Sequence, residues 1–179
     1  MSEQIHFVEL RLKSDFELLE PFAAEIWRYH YTSIIGADQV AYMLEKYQSA
    51  AVMLQQQKDC VRYFWIKVGD ENVGYLAFKI DQTRSVLFVS KLYVHQRFRS
   101  LGIGRKSIDF LKETASANQT QHLELTVNKD NLGSIAFYAK MGFEVVSEKC
   151  VSIGNGFVMD DYLMELNLTF HDDLSTKKS

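Results

Sequence analysis

Apolar and polar residues alternate from Ile5 to Leu12, the period of a strand with one buried face. Ser14 followed by Glu17 has the spacing of a capping box and predicts a helix start there. That helix runs on through Phe22, Ile26 and Trp27. Pro21 within it predicts a kink or a split, because proline lacks a backbone donor and its ring crowds the preceding turn. From Ala37 to about Gln57 the apolar residues Val40, Met43, Leu44 and Tyr47, then Val52 and Leu54, continue at helical spacing, and Ser49 is placed to restart the helix.

The period then changes. Val61 to Val68 is rich in β-branched and aromatic residues, Gly69-Asp70-Glu71-Asn72 reads as a turn, and Val73 to Ile80 as the hairpin partner. Val86 to Val94 is a third strand, apolar throughout except for Ser90 and Lys91. Gly102 to about Ala117 is an amphipathic helix that buries Ile103, Ile108, Leu111 and Ala115. A strand (His122 to Val127), a helix (Leu132 to Met141) and a strand (Phe143 to Ile153) follow. Asn155-Gly156 accepts the positive φ angles of a type I′ turn and joins that strand to Val158 through Leu168. The order β-α-α-β-β-β-α-β-α-β-β predicts an α/β fold, a mixed sheet with antiparallel edges and a βαβ centre.

A length of 179 residues with 47% hydrophobic and 24% charged residues supports one domain with its own core. That domain is expected over residues 1–168, with 169–179 a polar, disordered tail. Lys plus Arg is 20 and Asp plus Glu 23, a net charge of −3 that argues against coating nucleic acid or anionic membrane. Cys60 and Cys150 form no CxxC pair, so a zinc site is not expected and two reduced, buried thiols are. The first residues carry no signal-peptide pattern and no apolar stretch approaches the roughly 20 residues of a membrane span, so a soluble, cytoplasmic protein is expected.

The chemistry concentrates in Val89-Ser-Lys-Leu-Tyr-Val-His-Gln-Arg-Phe-Arg-Ser-Leu-Gly-Ile-Gly-Arg105. A strand ends at Val94, a basic loop follows, and a helix opens at the glycines. A helix start leaves backbone N–H groups unpaired at the positive end of the macrodipole. Gly102 and Gly104 let a phosphate approach that backbone, and Arg97, Arg99, Arg105 and Lys106 add positive charge. The dinucleotide fingerprint fails because Ser107 stands at its third glycine, and a Walker A loop fails because Arg99 stands at its first. What remains is Arg-x-x-Gly-x-Gly at Arg99, Gly102 and Gly104, a short pattern that a plain glycine-started helix also satisfies.

Together with the later Asn131-Leu-Gly-Ser-Ile-Ala-Phe-Tyr-Ala-Lys-Met-Gly-Phe143, this segment resembles the GNAT superfamily of acetyl-CoA-dependent N-acetyltransferases, in the family's order. Element order extends the resemblance from Ile5 to Leu168. Ile153-Gly-Asn-Gly-Phe-Val-Met-Asp-Asp-Tyr-Leu-Met-Glu165 is similar to small bacterial members, including those related to polyamine acetyltransferases. The resemblance implies a mostly antiparallel sheet of about six or seven strands with one splayed parallel pair, flanked by about four helices. It implies that main-chain groups of Leu92, Tyr93 and Val94 meet the pantetheine arm of the co-substrate acetyl-CoA. It places the pyrophosphate on Arg99, Ser100, Leu101, Gly102, Ile103, Gly104 and Arg105. Asn131 then lies near the cofactor arm besides capping its helix, and Tyr138 protonates the departing thiolate. No metal is implied.

No carboxylate stands on the strand Val86 to Val94, where some members carry a base. Glu25, His30, Tyr31, Asp160, Asp161 and Tyr162 are the candidates, and a water chain is the alternative. Trp27, His30 and Tyr31 are candidate acceptor contacts and, with Tyr29, suggest an aromatic wall able to hold a cation. The acidic balance suits a small amine such as a polyamine. A peptide or protein amine, and a non-catalytic acyl-CoA-binding module, remain as alternatives. A homodimer is compatible with the resemblance, and no segment marks its interface.

Overall fold

In the computed structural model, which describes residues 4–168, the strands and helices are β1 (Ile5–Glu9), α1 (Lys13–Ile35), α2 (Ala37–Gln48), α3 (Ala50–Lys58), β2 (Arg62–Val68), β3 (Glu71–Asp81) and β4 (Val86–Val94). A 3-10 turn at Gln96–Phe98 leads into α4 (Ile103–Ala117), β5 (His122–Asn128), α5 (Leu132–Lys140), β6 (Glu144–Gly154) and β7 (Phe157–Asn167). The seven strands form one sheet in the order β1-β2-β3-β4-β5-β7-β6. Only β4 and β5 run parallel. The expected tail, 169–179, lies outside the described residues.

The sheet is buried on both faces, which is why its central strands read as nearly continuous apolar runs. Alternate residues of β3 serve the two sides. Leu76 and Phe78 join Leu87, Ile108, Leu111 and Leu123 beneath α4. Tyr75 and Ala77 join Phe16, Leu19, Ile26, Met53 and Tyr63 beneath α1 and α3. A third cluster, Trp27, Val40, Met43, Leu44 and Ile153, ties α2 to the β6–β7 hairpin.

Several local expectations are corrected. The cap of α1 is built by Asp15, not by Ser14 with Glu17: its Oδ2 accepts the N–H groups of Arg11 and Leu12, both at 2.8 Å. The carboxylate thus satisfies donors just before the helix and complements its positive end. Pro21 does not split α1, which continues to Ile35. Its ring lies on an exposed face, where water can solvate the carbonyl that loses its donor. The β2–β3 connection is Gly69-Asp70 alone, since Glu71 already pairs with Val68. Cys60 and Cys150 are free, but both are exposed rather than buried, Cys60 after α3 and Cys150 on the edge strand β6. Ser49 does restart the helix, its hydroxyl accepting the Val52 N–H at 3.4 Å. Asn155 and Gly156 take φ angles of 53° and 77°, as a type I′ turn demands.

Two irregularities in the centre of the sheet open the site. The β3–β4 pairing skips Ser90, so Ala77 faces Lys91 while Phe78 faces Val89. The parallel β4–β5 ladder runs from Val86↔His122 to Val89↔Leu125 and stops, although β4 continues to Val94 and β5 to Asn128.

Candidate active site

Beyond Val89 the two parallel strands part, and a cleft of about 1210 Å³ enters between them. At one end lies the loop from Arg99 to Arg105. Ser100 and Gly102 turn the chain through positive φ angles of 67° and 77°, which delivers Gly102 to the N-cap of α4. Gly104, in the first turn, faces α5 so closely that a Cβ there would meet Phe137 Cζ at 2.9 Å. The glycines therefore keep both the helix start and the contact between α4 and α5 free of side chains. Arg99, Ser100, Gly102, Ile103, Gly104 and Arg105 all line the cleft. Leu101 does not, and it is 65% exposed. Arg97 and Lys106 also lie outside it.

A chain of side chains anchors the loop. Arg99 Nε donates to the Val94 carbonyl at 3.4 Å, and its guanidinium lies 5.8 Å from the Tyr29 ring centre. Arg99 also donates to His30 Nδ1 at 3.5 Å, which leaves the His30 Nε2–H to donate to Asn131 Oδ1 at 3.2 Å. Burial, then the Arg99 charge, lowers the His30 pKa, so this ring is neutral near pH 7. Asn131 Oδ1 also accepts the Ser134 N–H at 3.4 Å and caps α5 as expected. Behind the loop, buried His95 donates from Nε2 to Glu25 at 2.8 Å and accepts the Arg97 N–H on Nδ1 at 3.3 Å. Glu25 is thereby engaged with His95 and does not line the cleft.

The middle of the cleft holds Leu92, Tyr93, Val94, Asn131 and Tyr138. Tyr138 packs edge-on against Phe137 and Phe143 at 5.3 and 5.6 Å. Burial, with Tyr31 nearby, lifts its pKa well above the ordinary phenol value, so it is a proton donor at any working pH.

At the far end, Trp27, Tyr31 and Tyr93 pack together, with Trp27 4.6 Å and Tyr93 6.3 Å from the Tyr31 ring, whereas Tyr29 is 64% exposed and lies outside this cleft. His30 lines the cleft too, but its hydrogen bonds face the loop and α5. Three bonds fasten α2 over this end: Tyr42 and Lys46 donate to the Ile153 carbonyl, and Gln39 to the Val158 carbonyl at 2.7 Å. Alternation along β7 sorts the remaining base candidates. Asp160 pairs with Lys129 Nζ at 2.7 Å, and the Tyr162 ring lies beneath the same ammonium, so both sit outside the cleft. Asp161 opens into it, 8% exposed. Burial, then the Asp160 charge, raises its carboxyl to about 6 against the offset of Lys129 and Lys149.

The sequence reading missed Lys91. Its side chain is 6% exposed, burial lowers its pKa to about 8, and it lines the cleft. The available signal was a lysine interrupting an otherwise apolar strand.

The sequence profile of the acetyltransferase (GNAT) family matches residues 21–143, which hold α1 from Pro21 onward, the splayed strands, the glycine loop and α5. The chain belongs to the GNAT family. An uncharacterized N-acetyltransferase of Methanocaldococcus jannaschii is 27% identical over 120 residues, 64% of this chain and 53% of that protein. One from Bacillus subtilis is 35% identical over 60 residues, 34% of this chain and 24% of that protein. The chain thus spans about half or less of the length of these curated relatives. The PaiA N-acetyltransferase of Thermoplasma acidophilum, solved in complex with coenzyme A, superposes with a TM-score of 0.74 at 19% identity, over 92% of this chain and 99% of that one. A GCN5-related N-acetyltransferase from Rhodopseudomonas palustris gives 0.76 at 17% identity, over 94% and 98%. These likenesses establish a GNAT fold.

The GNAT cleft suits acetyl-CoA on its own geometry. It joins a basic, side-chain-free helix start to a gap between strands whose main-chain groups are released from the ladder. Among the described residues no helix is long and apolar enough to cross a membrane, and no three His, Cys, Asp or Glu gather as a metal site.

Proposed function

We propose that the protein transfers acetyl from acetyl-CoA to a small primary amine by direct attack in a ternary complex. One observation carries this reading. A single cleft joins the Arg99–Arg105 loop to a cavity into which a protonated phenol, Tyr138, and a raised carboxyl, Asp161, both open.

Arg99, Arg105 and the first N–H groups of α4 hold the diphosphate, and main-chain groups of Leu92, Tyr93 and Val94 hold the pantetheine arm. Bound there, acetyl-CoA supplies the thioester carbonyl that the amine attacks and the thiolate that leaves. The N–H groups freed near Val94 are the donors available to an oxyanion. An alkyl amine with a pKa near 10.4 is neutral in only about one molecule per thousand at pH 7.4, a penalty of roughly 4 kcal/mol. Asp161 is ionised at that pH and is a stronger base than an ordinary aspartate, so it accepts the ammonium proton at lower cost. Tyr138 gives its proton to the sulfur.

The strapping of α2 onto the β6–β7 hairpin favours a small acceptor over a protein segment. The buried ammonium of Lys91 opposes a polycation, so amines with one cationic centre are placed ahead of the polyamine that the overall charge suits.

Thiol release from acetyl-CoA, screened against amino acids, polyamines, aminoglycosides and short peptides, tests the proposal. Release is expected with one class of small amine; CoA binding without release for any acceptor would favour a binding module instead. Arg99→Ala should weaken CoA binding about tenfold, the worth of one charge-assisted contact. An unchanged Kd by calorimetry would remove the loop from the binding site.

A further inference from the structure

We infer that the acceptor carries an anionic group, a carboxylate or phosphate, which Lys91 receives at the α3 end of the cavity. The inference rests on the amine-acetylation reading and specifies its substrate.

The skip at Ser90 puts Lys91 opposite Ala77, on the side of the sheet that faces α1 and α3. Its Nζ donates to Gln56 Oε1 at 3.1 Å and lies 5.3 Å from the Tyr63 ring centre. The same Gln56 oxygen also accepts the Tyr63 hydroxyl. An ammonium has three donors, and this bond uses one. No carboxylate pairs with Lys91 among the described residues.

A structural lysine ordinarily buries its stem and keeps its head in water. Lys91, at 6% exposure, does not. A buried cation without a counter-charge is costly, and the cost is relieved when a ligand brings the anion. Gln56 and Lys91 both line the cleft, so the ligand has access to the pair. Asp161 stands on β7, two strand positions from β4 in the sheet, and lines the same cleft. The cavity thus offers a carboxylate for an amine and an ammonium for an anion. A compact amino acid fills both; a diamine sets a second cation against Lys91.

Matched acceptors test this: 4-aminobutanoate, butylamine and putrescine each carry a primary amine on a four-carbon chain that ends in a carboxylate, a methyl or a second amine, and 2-aminoethyl phosphate and β-alanine separate phosphate from carboxylate. Thiol release and calorimetric binding to the CoA-loaded protein are read for each. The anion-bearing amines should show at least tenfold higher kcat/KM, or at least tenfold lower Kd, than butylamine and putrescine. Lys91→Met, which keeps the aliphatic stem, should erase that preference and leave CoA affinity within twofold. Lys91→Gln carries the same test if the first variant does not fold. Butylamine or putrescine equal to or better than the anionic amines in both readouts overturns the inference, as does a preference that survives in a folded variant. Preferential binding of the anionic amines without thiol release would keep the anion site and reject acetylation, so the two readings fail separately.

Discussion

Tyr138→Phe should lower the rate of acetyl transfer about 10²- to 10³-fold while leaving CoA affinity and melting temperature close to wild type, within the range of a positioned general acid. Loss of the hydroxyl alone is what the substitution tests. Phenylalanine keeps the ring that packs against Phe137 and Phe143, so α5 and the cleft wall retain their shape. The phenol's pKa is far above the working pH, so Tyr138 always has a proton to give, and phenylalanine never does. Single-turnover thiol release measured beside CoA titration separates the two effects. An unchanged rate would take Tyr138 out of the mechanism. A protein that binds CoA equally well with either residue and transfers acetyl with neither would be a binding module.

Asp161→Asn should cut kcat/KM about 100-fold at pH 7 and abolish the acidic limb of the pH profile. In the unaltered protein, activity should rise as pH increases through about 6, where the buried carboxyl ionises. Stability should move the other way. The folded-state pKa of about 6 exceeds the ordinary value of 3.8, so between those two pH values the native protein binds more protons than the unfolded chain. This carboxyl therefore costs stability progressively as pH rises through that window, and the cost is fully present above it. Asparagine carries no such cost, and the variant should be more stable at pH 7 by about 1–2 kcal/mol once solvent screening is allowed for. Thermal melts at pH 4 and pH 7 check the difference, which should shrink at the lower pH. A variant with the wild-type pH profile would transfer the base role to a water chain.

The two expectations together describe a cleft with its acid and base on different elements. Tyr138 rides on α5, which Asn131 caps and His30 ties to Arg99. Asp161 rides on β7, which the sheet inserts between β5 and β6. The loop that would carry the diphosphate and the phenol that would face the sulfur are thus linked by one hydrogen-bonded chain. The proposed base, Asp161, belongs to a separate strand.

Much of this molecule was determined within short stretches of sequence. Alternation marked the strands, the 3.6-residue period marked α2 and α4, and Asn155-Gly156 specified its turn, because each depends on backbone preferences and on neighbours a few residues away. The Arg99–Gly104 loop and the Asn131–Phe143 block were legible for the same reason, as contiguous patterns that shape a helix start. Nothing local separates Asp161 from Asp160, or either from Glu25. One residue of offset on β7 turns one carboxylate to Lys129 and the other into the cleft, and a contact 70 residues away engages Glu25 with His95. Lys91 looked like an interruption in an apolar strand until the skipped residue at Ser90 and the packing of α3 enclosed it. Burial and charge partnership are set by segments distant in the chain, so the tertiary structure alone decided which side chains acquire shifted pKa values and face the same cavity.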